Sequence, residues 1–289
     1  MSAQRIIGLL LLCAGFLYGG YILTDTIRKR EQVKKEAGIF PLLCLIEAGI
    51  YFAGTLGISD FLLNTLTIQT FHLTDSRKLP GTLVAATLLP GAVISFFLLG
   101  TKEPADLATL LPCCISYVAG TIAGVRVVAG MNGKILKKAM ILALTGSLAA
   151  LILRMIISGG APGNRTGLPL PALVIAVVVV FFLGVINMLG VPAKPASTAL
   201  FLILGLSPLT VLTLVLVMCG MGPFGGGVEI LRNDRYHHKL ACAAVIAGSA
   251  GAVIGCLVAV SISAGLLNII LICVLLLAIW SLLPSGKRD

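Results

Sequence analysis

Charge is scarce in this chain. Asp, Glu, Lys and Arg make up only 11% of its 289 residues, against about 25% in an average soluble domain, while 58% are hydrophobic. A fold of this size cannot hide so much apolar surface from water, so its solvent is lipid. Familiar chemical signatures are missing too. There is no C-x-x-C, no H-E-x-x-H, no G-x-S-x-G, no P-loop and no G-x-G-x-x-G with an acidic partner. These absences leave an enzyme reading without a motif, and no cofactor or metal site is expected. The eight cysteines lie in or beside apolar tracts and read as small hydrophobes; only vicinal Cys113 and Cys114 leave a thiol role open. His72, His237 and His238 fall at tract edges without ligand spacing and read as interfacial.

What the chain does have is long apolar runs. Ile6 to Thr24, Leu170 to Leu189, Leu240 to Val260 and Leu266 to Leu283 reach or approach the roughly 18 residues that mark a spanning helix. Few residues remain for an extramembrane domain. The net charge of +10 is confined to gaps between these runs: Arg28 to Lys35, then Arg126 with Lys134, Lys137 and Lys138, then Arg232, Arg235 and Lys239. Such placement is positive-inside patterning rather than a nucleic-acid surface. It predicts a multi-pass protein of a cell (inner) membrane with its N-terminus outside and its C-terminus cytoplasmic. The basic residues that follow the first tract, with only Arg5 before it, favour a retained helix over a cleaved signal.

Sliding the sequence by 133 positions aligns Leu56-Gly57-Ile58 with Leu189-Gly190-Val191, Thr65 with Thr198, Leu73-Thr74 with Leu206-Ser207 and Pro90 with Pro223. With a small shift, Ala119-Gly120-Thr121 meets Ala247-Gly248-Ser249. The fold class expected is all-α: a polytopic membrane protein of two inverted-topology repeats. Each repeat has a helical hairpin or broken helix plus three spanning helices, and one extra helix precedes them. Residues 1–36 form the N-terminal helix and basic loop, 37–167 repeat 1 and 168–289 repeat 2. The hairpins are Ile39 to Leu73, with its tip at Gly54 to Ser59, and Leu170 to Leu206, with its tip at Leu189 to Pro192. Sequence leaves open whether they are re-entrant or fully spanning. Pro90 and Pro223 are expected to kink or break their helices.

Non-helical backbone at membrane depth must be buried in protein or line a wet cavity, so the two tips should meet. Ser59 is placed as an N-cap and Pro192 as a first helical residue, which aims two helix N-termini at the midplane, a setting that favours an anion. The substrate-binding residues predicted are Ser59, Asp60, Asn64 and Thr65 after the first tip, and Lys194, Ser197 and Thr198 after the second. Asp60 and Lys194 are costly inside a bilayer and are expected to pair across the pseudo-two-fold. Glu47 is a further intramembrane acid.

Leu79-Pro80-Gly81-Thr82 after a broken helix, echoed by Leu204 to Pro208 and by Met221-Gly222-Pro223, resembles the TauE/SafE family of anion permeases over roughly Ile39 to Leu283. That resemblance implies transport of sulfite, an organosulfonate or a related organic anion, coupled to protons or running down a solute gradient. The family's glycine-rich tip is replaced here by Gly57-Ile58-Ser59-Asp60 and Gly190-Val191-Pro192-Ala193. The function expected is therefore a secondary transporter of a small anion by alternating access. The competing class is a structural or assembly subunit of a membrane complex. The partners expected are a small anionic solute and the lipid bilayer, with no nucleic acid; a homo-oligomer is compatible with the sequence.

Overall fold

The computed structural model describes residues 3–74, 78–100, 105–127, 163–188 and 193–261, with Leu266, Ile269 and Cys273. The expected third spans of both halves, Lys138 to Ile157 and Leu266 to Leu283, lie wholly or largely outside the described residues. So do the second tip, Leu189 to Pro192, and most of the second basic cluster.

The chain is an all-α polytopic membrane protein. Its helices are α1 (Ala3–Arg28), α2 (Arg30–Lys35), α3 (Phe40–Thr55), α4 (Asp60–Thr70), α5 (Leu79–Leu99) and α6 (Leu107–Val127). They continue as α7 (Leu170–Asn187), α8 (Ala193–Ile203), α9 (Pro208–Arg232), α10 (His238–Ala243) and α11 (Ser249–Ser261), the last two joined by a π-helical turn at Ala244–Gly248. Among the described residues, six are long and apolar enough to cross a membrane, counting the run from α10 to α11 as one. Helix starts follow local chemistry. Pro41, Pro80 and Pro171 occupy first-turn positions, where the missing N–H costs nothing. Ser59 and Ser207 cap α4 and α9 by accepting N–H bonds from Leu62 and Thr210.

α5 and α9 form the centre, with 89% and 78% of their apolar windows buried, whereas α1 and α7 are only 22% and 28% buried and face lipid. Pro90 and Pro223 lie inside α5 and α9, which run through them without a break. The two helices cross where a Cβ on Gly91 would stand 3.1 Å from the Cα of Gly220.

α1 serves as a ruler of about 39 Å. Near its start, Gln4 Nε2 donates to the carbonyl of Ala105; just past its end, Lys29 Nζ lies 2.8 Å from Asp234. At the Ala105 end, Asp106 N bonds Thr166 O, and Arg165 bridges Leu206. The hairpin of α7 and α8 therefore begins and finishes there. At the Lys29 end, Lys239 holds the carbonyls of Glu36 and Gly38, and Gly38 packs on Leu73. The hairpin of α3 and α4 begins and finishes there. The two hairpins thus open toward opposite ends of the bundle. With α3 about 24 Å long and α4 about 16 Å, neither arm crosses a hydrocarbon core of roughly 30 Å.

The 133-residue offset recurs in backbone detail. α4 and α8 have the same 11-residue length, and Asp60 to Thr70 superposes in number on Ala193 to Ile203 at that offset. Each ends in the same cap: Leu73 N bonds Ile68 O with His72 at φ 49°, and Leu206 N bonds Phe201 O with Gly205 at φ 95°. The later helices correct the sequence alignment. A Cβ on Gly120 would strike the Phe181 carbonyl, and one on Gly124 would reach 2.7 Å from that of Val185. The equivalent contacts are Gly251 on Ala48 and Gly255 on Phe52, at 2.8 Å for the latter. Gly120 therefore corresponds to Gly251, not Gly248. Small-residue matches are degenerate, and the carbonyl of the facing helix fixes the register. α6 packs on the hairpin of the second half and α11 on the hairpin of the first, a reciprocal exchange.

Candidate functional site

The starts of α4 and α8 meet inside the bundle. Lys194 Nζ lies 2.6 Å from Asp60 Oδ1, with the two residues only 6% and 1% exposed. Local sequence explains why both side chains are there. Asp60 and Lys194 are the first and second residues of α4 and α8, so their side chains sit at helix ends rather than on a lipid-facing stripe. Gly57, at φ 95°, supplies the left-handed turn that reverses the first hairpin. Gly54 keeps space open beside the pair: a Cβ there would stand 3.9 Å from Asp60 Cβ and 4.0 Å from Lys194 Nζ.

The pair is sparsely supported. Thr87 Oγ1 lies 3.3 Å from Asp60 Oδ2 and 3.1 Å from the Tyr51 hydroxyl. Asp60 Oδ1 has the ammonium but no well-angled hydrogen bond. A closed crevice of about 180 Å³ lined by Ser59, Asp60, Phe61, Asn187, Lys194 and Cys219 is too narrow to admit water. Around it, Asn64 Oδ1, Ser197 Oγ and both carboxyl oxygens of Glu47 are buried without a hydrogen bond of full geometry. Asn64 is nevertheless the polar neighbour of both Glu47 and Tyr51. In low dielectric each such group is costly, so the cluster has acceptors and donors in reserve.

Asp60 and Lys194 are thus in direct contact, and Ser59, Asn64, Ser197 and Thr198 are buried on the same two helices. Thr65 is different: it is half-buried and its hydroxyl donates back to Phe61 O on its own helix. Sequence reading missed Thr87, Tyr51, Asn187 and Cys219. Asn187 had a signal, a lone amide at the end of an apolar tract; Thr87 and Cys219 had none, because their helices join the site only through tertiary packing.

A second charged cluster lies at the Lys29 end. His238 is fully buried, with Nδ1 2.9 Å from Glu36 Oε1 and Nε2 2.9 Å from Asp234 Oδ1 and 3.2 Å from Asp25 Oδ2. Both ring nitrogens facing carboxylates suits the doubly protonated ring. Lys29 bridges Asp25 and Asp234 at 3.1 and 2.8 Å, and the Tyr236 hydroxyl donates to Asp25 at 2.7 Å. Asp25, Asp234 and His238 have metal-like spacing, but the Lys29 ammonium occupies the place between the two carboxylates. Burial pushes the Glu36 carboxyl up, yet bonds from His238 and the Lys239 N–H outweigh it and hold its pKa at about 2. His237 and His238 are both buried at this end, where acids on α1 and the α2–α3 connection face them.

No family model, curated protein or solved structure matches the chain.

Proposed function

We propose that the chain is a secondary transporter that carries a small anion past the two hairpin tips by alternating access. One observation carries the reading: among the residues whose burial is described, Lys194 is the only buried Lys or Arg, and it sits where two oppositely inserted hairpins meet. Broken helices at corresponding places in two halves are the usual architecture of a midplane transport site. An ammonium at bilayer depth is expensive and has one carboxylate to hold it.

An incoming anion competes with Asp60 for Lys194. Asn64, Ser197 and Thr198 supply amide and hydroxyl donors for its oxygens, and the start of α4 adds unpaired N–H groups. Displaced, the Asp60 carboxylate keeps only the Thr87 hydroxyl and is the group placed to carry a coupling proton. The likeness of Leu79-Pro80-Gly81-Thr82 to TauE/SafE permeases favours sulfite or an organosulfonate as the solute. In this reading repeat 1 and repeat 2 move against each other, and the Lys29 end with its basic residues faces the cytoplasm of an inner-membrane protein.

Thermal-shift titration of purified protein with sulfite, sulfonates, sulfate and carboxylates at two pH values tests this. At least one anion should raise the unfolding midpoint, and Lys194→Gln should abolish the rise. No response to any anion, together with a fixed partner that co-purifies, would instead favour a structural subunit.

A further inference from the structure

A cavity of about 670 Å³ opens at the Lys29 end, away from the tips. Its wall is built from the end of α2, the foot of α4, the start of α5 and the residue before α10, so four separate segments bring polar groups to one place. Lys35, His72, Lys78 and His237 line it, with Gln69 between them. Among the described residues, neither Lys35 nor Lys78 has a carboxylate within ion-pair distance, while Lys29 is held by Asp25 and Asp234. Glu36 also lines the cavity, but its two oxygens are already engaged by His238 and by the Lys239 N–H.

His237 adds a donor of fixed direction. It is 2% exposed, and its Nδ1 accepts the Leu240 N–H at 3.1 Å as the cap of α10. That bond makes Nδ1 the bare nitrogen and leaves the proton on Nε2, which has no partner. Burial holds the pKa of the ring below its ordinary value despite Glu36 Oε2 at 3.6 Å from Nδ1. Among the described residues, two ammonium groups with no carboxylate partner, an unpartnered buried N–H and a side-chain amide bring donors together here.

We propose that this cavity is a second anion site, which binds an oxyanion headgroup (sulfate, sulfonate or phosphate) at the membrane edge. The site is independent of the tip reading, since it can bind an anion in a protein that moves none. A soluble anion and the phosphate of an anionic lipid offer the same chemistry, and both can reach a cavity open at this level.

Full-length protein, delipidated in uncharged detergent, can be titrated calorimetrically at constant ionic strength with inorganic sulfate. In a second arm, short-chain phosphatidylglycerol is titrated against short-chain phosphatidylcholine. Saturable binding is expected in at least one arm; sulfate binding identifies a soluble anion as ligand, and phosphatidylglycerol binding alone identifies a lipid headgroup. Lys78→Gln and His237→Asn should each weaken binding about fivefold or more. Asn retains a cap acceptor for Leu240, so an unchanged elution volume and helicity show that the fold survives. Lys194→Gln should leave this binding intact. No saturable binding in either arm, or binding indifferent to both edge variants, overturns the proposal. Binding lost in Lys194→Gln but kept in Lys78→Gln also overturns it, and assigns the anion to the tips.

Discussion

Asp60, which is buried, and Glu36, which is half-buried, are both acids that tie distant segments together, and their surroundings differ sharply. Glu36 accepts from the His238 ring, the His238 N–H and the Lys239 N–H, and its own carbonyl takes the Lys239 ammonium. Asp60 has one ammonium and one long bond from Thr87. The membrane edge is a saturated clasp joining α1, the α2–α3 connection and α10. The midplane pair is under-supported and ringed by polar atoms in reserve. A saturated cluster loses by rearranging, whereas a sparse one can exchange a partner for a ligand at small cost. If the chain transports as proposed, that contrast separates structural charge from transport charge in this bundle.

The sharpest way to break the comparison is to strip one partner from the sparse pair. Lys194→Ala leaves Asp60 buried and unpaired and should cost about 3–5 kcal/mol of stability, read as a fall in the thermal midpoint in detergent. Asp60→Asn with Lys194→Gln removes both charges and should recover most of that loss, while anion binding stays absent. A double variant as unstable as the single one would mean that the pair is structural.

Packing variants test whether the two halves are equivalent. Gly120→Ala and Gly251→Ala each drive a methyl into a carbonyl of the facing hairpin, at Phe181 and Ala48. Each should destabilise by about 1–3 kcal/mol, and by similar amounts, because the contacts correspond. Gly248→Ala meets the Tyr51 ring instead of backbone, so it breaks a different contact and serves as the unmatched control.

The smallest effect concerns the clasp and pH. The Glu36 carboxyl titrates near 2 when folded against an ordinary value of 4.5. Its contribution is therefore complete above about pH 4.5 and is lost as pH falls toward 2. The wild-type midpoint should drop through that window more steeply than that of Glu36→Gln; parallel curves would show that the clasp adds nothing.

Much of this architecture was legible in the sequence. Apolar length gave the spans seen among the described residues, and the 133-residue match gave two hairpin arms of equal length with equivalent caps. Asp60 and Lys194 stood out because charge in an apolar tract is costly wherever it is found. Other features depend on partners distant in the chain. The positive-inside argument weighed Lys29 and Lys239 by sign alone and so passed over the acids Asp25, Glu36 and Asp234 that hold them. Thr65 matched Thr198 in the alignment, yet a hydroxyl on a helix can always bond its own carbonyl four residues back, and Thr65 does so. Pro90 and Pro223 did not break their helices, since close packing around Gly91 and Gly220 supports the backbone there.

The most direct test of the transport site is flux of radiolabelled sulfite or methanesulfonate into proteoliposomes holding wild type, Lys194→Gln or Glu36→Gln. The account predicts flux for wild type and Glu36→Gln and none for Lys194→Gln at equal insertion. Undiminished flux through Lys194→Gln would contradict it.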